Sequence, residues 1–323
     1  MNPNTLTDTP TTAFGPLVSV QWLQQRLAAK PEPSQLVVMD CSFDLAQPEA
    51  GLASYQTGHI AGALHAHLDR DLSAAKSALA EGEPVPSASG GRHPLPTREN
   101  FARTLARWGI QPSSQVVVYD RNANMFGGRL WWMLKWCGHE QVAVLDGGWQ
   151  AWQAIGGAVQ AGDTQADAGA TRQSTALGGT VAAYPLQAPL VPLRTVTEVA
   201  QHLGDNTQTV VDARAFARYT GEIELLDPRA GHIPGALNRP FAHNFDANGL
   251  YKSPAQLRQE WAQVLGQHDP ATVVMHCGSG VTAVPNIIAM QLAGYPTPAL
   301  FAGSWSEWCS DPMRPVAMGA LPV

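Results

Sequence analysis

The chain has 323 residues, 45% of them hydrophobic and 14% charged, with a formal net charge of −6. That length accommodates two ordinary domains with full cores, and the composition is that of a globular chain rather than a disordered one. The acidic balance, with no block of Lys or Arg, argues against nucleic acid or an anionic membrane as partner, and no apolar run approaches the ~18 residues of a spanning helix.

Residues 1–16 have neither a basic nor an apolar region of the kind a secretory signal needs, so they read as a disordered tail. A first domain is expected over 17–160. It opens with a helix at Val18–Ala28 and a strand at Val37–Asp40, followed by the segment Gly58-His59-Ile60-Ala61-Gly62-Ala63-Leu64. An insertion around Gly82–Pro96, dense in Pro, Gly and Ser, reads as a long loop without a legible role. Next come a helix at Phe101–Trp108, a strand at Val116–Asp120, and a helix face Trp131-Trp132-Met133-Leu134 that reads as core. Leu145-Asp146-Gly147-Gly148-Trp149 and Trp152 close the domain. Residues 161–190, rich in Ala, Gly, Thr and Gln without periodicity, read as a linker.

The expected second domain, 191–323, repeats the first. Helical spacing recurs at Val196–Leu203 and Leu257–Leu265, and Val210-Val211-Asp212 answers the first strand. Gly231-His232-Ile233-Pro234-Gly235-Ala236-Leu237 answers the segment at Gly58, and Val273-Val274-Met275-His276-Cys277 answers Val116–Asp120. Phe301-Ala302-Gly303-Ser304-Trp305 and Trp308 answer the closing segment. Four anchors in one order identify a duplication. Short apolar strands alternating with helices predict an α/β fold, each copy a parallel sheet with helices on both faces, and ligands in such sheets bind beyond the carboxyl ends of the strands.

Cys277 stands at that place. It ends a buried strand and opens the loop Gly278-Ser279-Gly280-Val281-Thr282-Ala283, which feeds a helix over Pro285–Leu292. Backbone N–H groups and the helix dipole converge there and favour the nucleophilic thiolate. A core cysteine is the bland alternative, but small neighbours are expected to leave this one uncovered. Gly278 and Gly280 permit φ > 0 and inward-facing N–H groups. Ser279 is expected either to donate to a leaving group or to cap the loop. Thr282 reads first as an N-cap with Pro285 in the first helical turn. Cys41 and Cys137 read as core, and Cys309 is a candidate for exposure. The scatter of the four cysteines gives neither a zinc site nor a disulfide framework, fits a reducing cytoplasm, and leaves no cofactor or metal expected.

The repeat, the two Gly-His-Ile-x-Gly-Ala segments, the Cys-Gly-Ser-Gly-Val-Thr loop and the Gly-Ser-Trp-x-x-Trp close resemble the two-domain rhodanese family of sulfurtransferases over about Val18 to Val316. The resemblance implies two tandem rhodanese-like domains, of which only the second is catalytic, its cysteine carrying sulfur as a persulfide. Asp120 holds the first-copy position of Cys277, and a carboxylate cannot accept sulfane sulfur. Gly278-Ser279-Gly280 resembles the loop of 3-mercaptopyruvate sulfurtransferases rather than the Arg-Lys loop of thiosulfate sulfurtransferases. A neutral loop suits a monoanionic carboxylate, with thiosulfate a second donor.

By the same resemblance, Cys277 and Ser279 are the catalytic pair. Arg218 matches a donor-binding arginine, and Arg229 lies where another is expected, closer to Gly231 than in those relatives. Gly278, Gly280, Val281 and Thr282 complete the donor-binding set. Relatives have been described with an aspartate–histidine–serine arrangement, in which His59 matches the histidine and Ser279 the serine. Because both copies keep His59 and His232, a loop-holding hydrogen bond is the simpler reading of each. Arg214 reads as a partner for a strand-end carboxylate, His276 as a strand end, and Trp305 and Trp308 as packing.

The implied partners are a small anionic sulfur donor and a small thiol, cyanide or thioredoxin-like acceptor. A cysteine phosphatase needs an arginine six residues after the cysteine, where this chain has Ala283, and the papain-type Cys-Gly-Ser-Cys-Trp pattern is missing. A sulfur-relay module that turns over no small donor is the non-enzymatic alternative.

Overall fold

A computed structural model describes residues 15–75, 86–162 and 182–320 of the chain. Most of the predicted tail, the middle of the predicted linker and the first residues of the insertion lie outside them.

The first half runs β1 (Leu17–Val18), α1 (Val20–Ala28), β2 (Leu36–Asp40), α2 (Ala50–Thr57), β3 (His59–Ile60), β4 (Leu64–His65), α3 (Arg98–Arg107), β5 (Gln115–Tyr119), α4 (Met125–Trp136), β6 (Val142–Leu145), α5 (Gly148–Ala154) and β7 (Val159–Gln160). The second runs β8 (Leu193–Arg194), α6 (Val196–Gln201), β9 (Thr209–Asp212), α7 (Phe216–Tyr219), β10 (Leu237–Asn238), α8 (Pro254–Leu265), β11 (Val273–His276), α9 (Val284–Leu292), β12 (Ala299–Phe301) and α10 (Ser304–Trp308). Helix starts follow their caps. Ser19, Thr97 and Ser253 each accept a backbone N–H from the first turn, and Thr195 with Glu198 forms a reciprocal capping box. α3 therefore begins at Arg98 rather than Phe101, because its polar first turn carries no apolar signal.

The two five-stranded sheets are parallel throughout and share one order: β1-β6-β5-β2-β4 and β8-β12-β11-β9-β10. The duplication read from four anchors is thus a duplication of topology. Alternation along the strands divides the core. Val37 and Met39 of β2 face a central core together with Val273 and Met275 of the other sheet, while Leu36 and Val38 enter a separate core on the outer face. A third core covers the outer face of the second sheet. α4 lies between the sheets and buries ten of its twelve residues, which explains why its sequence is apolar almost all round. It packs on α9: a side chain at Gly128 would place its Cβ 3.3 Å from Val284.

His59 and His232 do the same work in each copy. Their Nδ1 atoms are 2.8 and 2.9 Å from the carbonyls of Tyr55 and Tyr219, and each ring stacks on that tyrosine at 3.9 Å. Each tyrosine hydroxyl in turn donates to Ala63 or Ala236.

Candidate active site

β11 delivers Cys277 to the carboxyl edge of the second sheet, and α9 begins at Val284. The intervening loop is pinned from α10: Trp305 N–H donates to the Cys277 carbonyl at 3.0 Å and Ser306 N–H to the Gly278 carbonyl at 2.9 Å. Ser304 sits at φ 55°, a strained conformation for a non-glycine residue. There its hydroxyl accepts the Cys277 N–H at 3.1 Å and donates to the Phe301 carbonyl at 3.0 Å.

What the loop is built to hold is displayed in the first copy. The Asp120 carboxylate accepts four backbone N–H groups, from Asn122, Asn124, Phe126 and Gly127, at 2.7–2.9 Å. In the second copy the answering N–H groups of Ser279, Val281 and Ala283 have no acceptor among the described residues. The same backbone arrangement thus carries an anion in one domain and, in the other, a cysteine with donors to spare.

Gly280 takes φ +72°, and a Cβ there would lie 2.2 Å from the Ala302 carbonyl oxygen. Gly278 is not in the left-handed region, contrary to the sequence reading, and its reason is steric. A Cβ at 278 would lie 3.0 Å from Arg92 Nη2 and 3.3 Å from Arg218 Nη1. Gly280→Ala is therefore expected to lower stability by about 3 kcal/mol, combining left-handed strain with a backbone clash. Gly278→Ala meets only the ends of two flexible side chains and is expected to cost under ~1 kcal/mol. Urea unfolding midpoints check both, and equal midpoints would mean the Ala302 carbonyl moves freely.

Two guanidinium groups overlie Gly278. Arg218 pairs with Glu224 at 2.8 Å and with Asp227 at 3.0 Å, and Arg92 pairs with the other oxygen of Asp227. One buried carboxylate thus holds both arginines, with Arg92 Nη2 and Arg218 Nη1 turned toward the loop. Arg92 comes from the insertion, which is seated on α10 by Arg92 N–H to Ser306 Oγ (2.9 Å) and Gly90 N–H to Glu307 Oε1 (3.1 Å). The next residue, His93, has its Nδ1 2.7 Å from Ser279 Oγ and its Nε2 3.7 Å from Asp69 Oδ1. With the proton on Nε2, the serine hydroxyl donates to Nδ1.

Several expectations are corrected. Cys277 is covered, only 1% exposed, because the insertion and the arginines supply the bulk that its own neighbours lack. The histidine beside Ser279 is His93, and His59 is occupied by Tyr55. The Arg229 guanidinium donates to the carbonyls of Asp311 and Arg314, fastening the C-terminal segment, while its own carbonyl accepts Trp305 Nε1. Thr282 caps nothing, since α9 starts from Ala283 without a side-chain cap. The Val281 side chain belongs to the central core. Cys309 is buried. Burial pushes the thiols of Cys41 and Cys309 up and that of Cys137 to about 11, as befits structural cysteines.

Other readings find their partners. Arg214 grips Asp212 through Nε and Nη2 at 2.6–3.1 Å and lies over the Trp305 ring. His276 is fully buried with Nε2 3.7 Å from Asp212, and burial lowers it. Sequence reasoning missed Arg92, His93, Asp69 and Asp227. The one available signal was the pair Arg92-His93 set between Gly91 and Pro94 in a segment with no counterpart in the second copy. Among the described residues, no three His, Cys, Asp or Glu side chains converge as a metal site would require.

Two α/β domains with parallel sheets of one topology, the later one holding a covered cysteine under paired arginines, define a tandem-domain protein with a thiol at the carboxyl edge of its second sheet. The rhodanese-like domain model matches residues 19–155 and 195–311, and the chain belongs to that family. It is 42% identical over 296 residues to a probable 3-mercaptopyruvate sulfurtransferase of Pseudomonas aeruginosa, covering 91% of this chain and 96% of that protein. It is 32% identical over 304 residues to the human 3-mercaptopyruvate sulfurtransferase, covering 90% and 91%. A putative thiosulfate sulfurtransferase of Mycobacterium tuberculosis is 34% identical, covering 87% and 90%. Among solved structures, 3-mercaptopyruvate sulfurtransferase from Leishmania major matches with a TM-score of 0.74 at 27% identity, over 95% of this chain and 77% of that one. The chain is a sulfurtransferase, an enzyme that passes sulfur from a donor to an acceptor. No helix among the described residues is long and apolar enough to cross a membrane.

Proposed function

We propose that the donor is 3-mercaptopyruvate and that Cys277 carries the transferred sulfur as a persulfide. The observation that carries this is the pair Arg92 Nη2 and Arg218 Nη1, held over Gly278 by Asp227 and by Glu224. Two guanidinium edges match the carboxylate of a small keto acid. The donor carboxylate and carbonyl sit under them, its thiol sulfur beside Cys277.

The Cys277 thiolate attacks the donor sulfur, the sulfur–carbon bond breaks, and its electron pair passes to the methylene carbon as the enolate of pyruvate. The proton of the donor thiol ends on that carbon, relayed through Ser279 and His93 with Asp69 behind them. Pyruvate leaves, and the negative outer sulfur remains on Cys277 among the loop N–H groups, where Asp120 carries its charge in the other copy. An acceptor thiolate then attacks the outer sulfur and restores Cys277. Small thiols, cyanide and a thioredoxin-like protein all fit this step. Support for a protein acceptor comes from the exposed Phe216, Ile223, Leu225 and Leu226 in the segment that carries Arg218; Leu225 is 86% exposed. Four free, buried cysteines support a cytoplasmic location.

The test is kcat/KM for the two donors with one acceptor. We expect 3-mercaptopyruvate to exceed thiosulfate by at least about tenfold, and Arg218→Lys to raise the 3-mercaptopyruvate KM by about 10- to 100-fold with a smaller effect on kcat. A larger kcat/KM for thiosulfate would overturn the donor assignment.

A further inference from the structure

Arg129, on α4 of the first domain, is a cation in an unusual position. Its side chain is fully buried, and among the described residues no carboxylate lies within ion-pair distance. It is instead surrounded by carbonyl oxygens. Nη1 donates to Gly280 at 3.1 Å, and Nη2 donates to Leu72 at 3.1 Å and His93 at 3.0 Å, while Nε has no partner. Burying a lone cation costs several kcal/mol unless an opposite charge offsets it. Burial draws this guanidinium down to about 10, which leaves it charged near neutrality, and the charge that acts against that pull is Cys277.

Its three acceptors belong to the cysteine loop, the insertion that brings Arg92 and His93, and the turn at Leu72 beside it. One guanidinium therefore ties together the parts of the site that come from different domains. The duplication does not reproduce it. The residue standing to Cys277 as Arg129 stands to Asp120 is Asn286, whose amide is spent on the Arg239 carbonyl and on Asn244.

We infer that Arg129, held against the catalytic loop by its bond to Gly280, is the buried counter-charge of the Cys277 sulfur anion, so that the first domain contributes to the chemistry of the second. The inference rests on Cys277 being the nucleophile, and the experiment separates the two claims. Alkylation by iodoacetamide is followed against pH, with the modified cysteine located by mass spectrometry, in wild type, Arg129→Gln and Arg129→Lys. Both variants lose the three-way anchorage, but only Gln loses the charge.

In the Gln variant the rate at Cys277 is expected to fall about tenfold at pH 7 and to recover as pH rises, while Lys stays within about threefold of wild type. A Gln rate equal to wild type, or reduced equally at every pH, would overturn the inference. Failure of wild type to gain about 32 Da on Cys277 from the donor would instead remove the nucleophile assignment. Should the Gln variant not fold, Arg129→Lys is read alone, and a Cys277 alkylation rate in it more than about tenfold below wild type would overturn the inference.

Discussion

Cys277→Ser is expected to lower sulfur transfer from any donor by at least about 10³-fold, the scale on which covalent catalysis collapses when its nucleophile is removed. The hydroxyl fits the same space beneath Ser304 and Trp305, so the protein remains folded, yet serine neither ionises near neutrality nor forms a persulfide. Wild-type protein exposed to donor should gain about 32 Da on Cys277, one sulfur atom bound as persulfide, and the serine variant should gain nothing. The other cysteines provide the control. Cys41, Cys137 and Cys309 are buried with thiols pushed up by their surroundings, and Cys137 lies against Arg98 far along α4 from the loop. Residual turnover above a few per cent in the serine variant would mean that sulfur passes through another group.

The parts of this site that were legible in the sequence are those whose chemistry is local. A strand, a cysteine, two glycines and a helix make a loop whatever surrounds them, and the repeat supplied its own calibration through Asp120. What was not legible depends on the meeting of distant segments. Arg92 and His93 lie in an insertion that carries no periodicity, and their partners Asp227 and Ser279 are far along the chain. The loop-holding reading of His59 agrees with its bond to the Tyr55 carbonyl, whereas Arg229, which the resemblance placed near the donor, is used up on the carbonyls of the C-terminal segment. The fold followed the same division. The burial of β2 on both faces and of α4 nearly all round follows from a continuous apolar run and from a helix with almost no polar face. Helix starts such as Arg98 and Pro254 depend on a cap and a polar first turn that apolar spacing does not register.

Donor selectivity changes its physical origin once these segments meet. From the loop alone, the lack of cations is the determinant, so that Arg-Lys in place of Gly278-Ser279 would recruit thiosulfate. Position 278, however, already faces two guanidinium groups at 3.0 and 3.3 Å from any Cβ, and Ser279 is bonded to His93. Positive charge at this site is brought from outside the loop, and glycine at 278 keeps room for it. An arginine there would have to displace Arg92 or Arg218, breaking the pairing with Asp227 that orients them.

Asp120→Asn should separate stability from chemistry, with a large effect on one and little on the other. The carboxylate accepts Asn122 and Asn124 on Oδ1 and Phe126 and Gly127 on Oδ2, all within 2.9 Å, in a fully buried site. An asparagine can serve only one of those pairs, because its amide nitrogen is itself a donor. Two backbone N–H groups then lose their acceptor at about 1–3 kcal/mol each, so a loss on the order of 4 kcal/mol is expected in urea unfolding. Since the residue touches neither Cys277 nor the arginines, kcat/KM of the folded variant at 25 °C should remain within about threefold of wild type. A stability loss under about 1 kcal/mol would show that the first-copy loop does not need its anion. A large fall in kcat/KM with stability intact would place Asp120 in the reaction, against the division of labour between the two copies. The contrast has a physical root: a loop of converging N–H groups is costly to bury without negative charge. One copy answers that cost with a carboxylate, and in the other the persulfide proposed for Cys277 would meet it once per turnover.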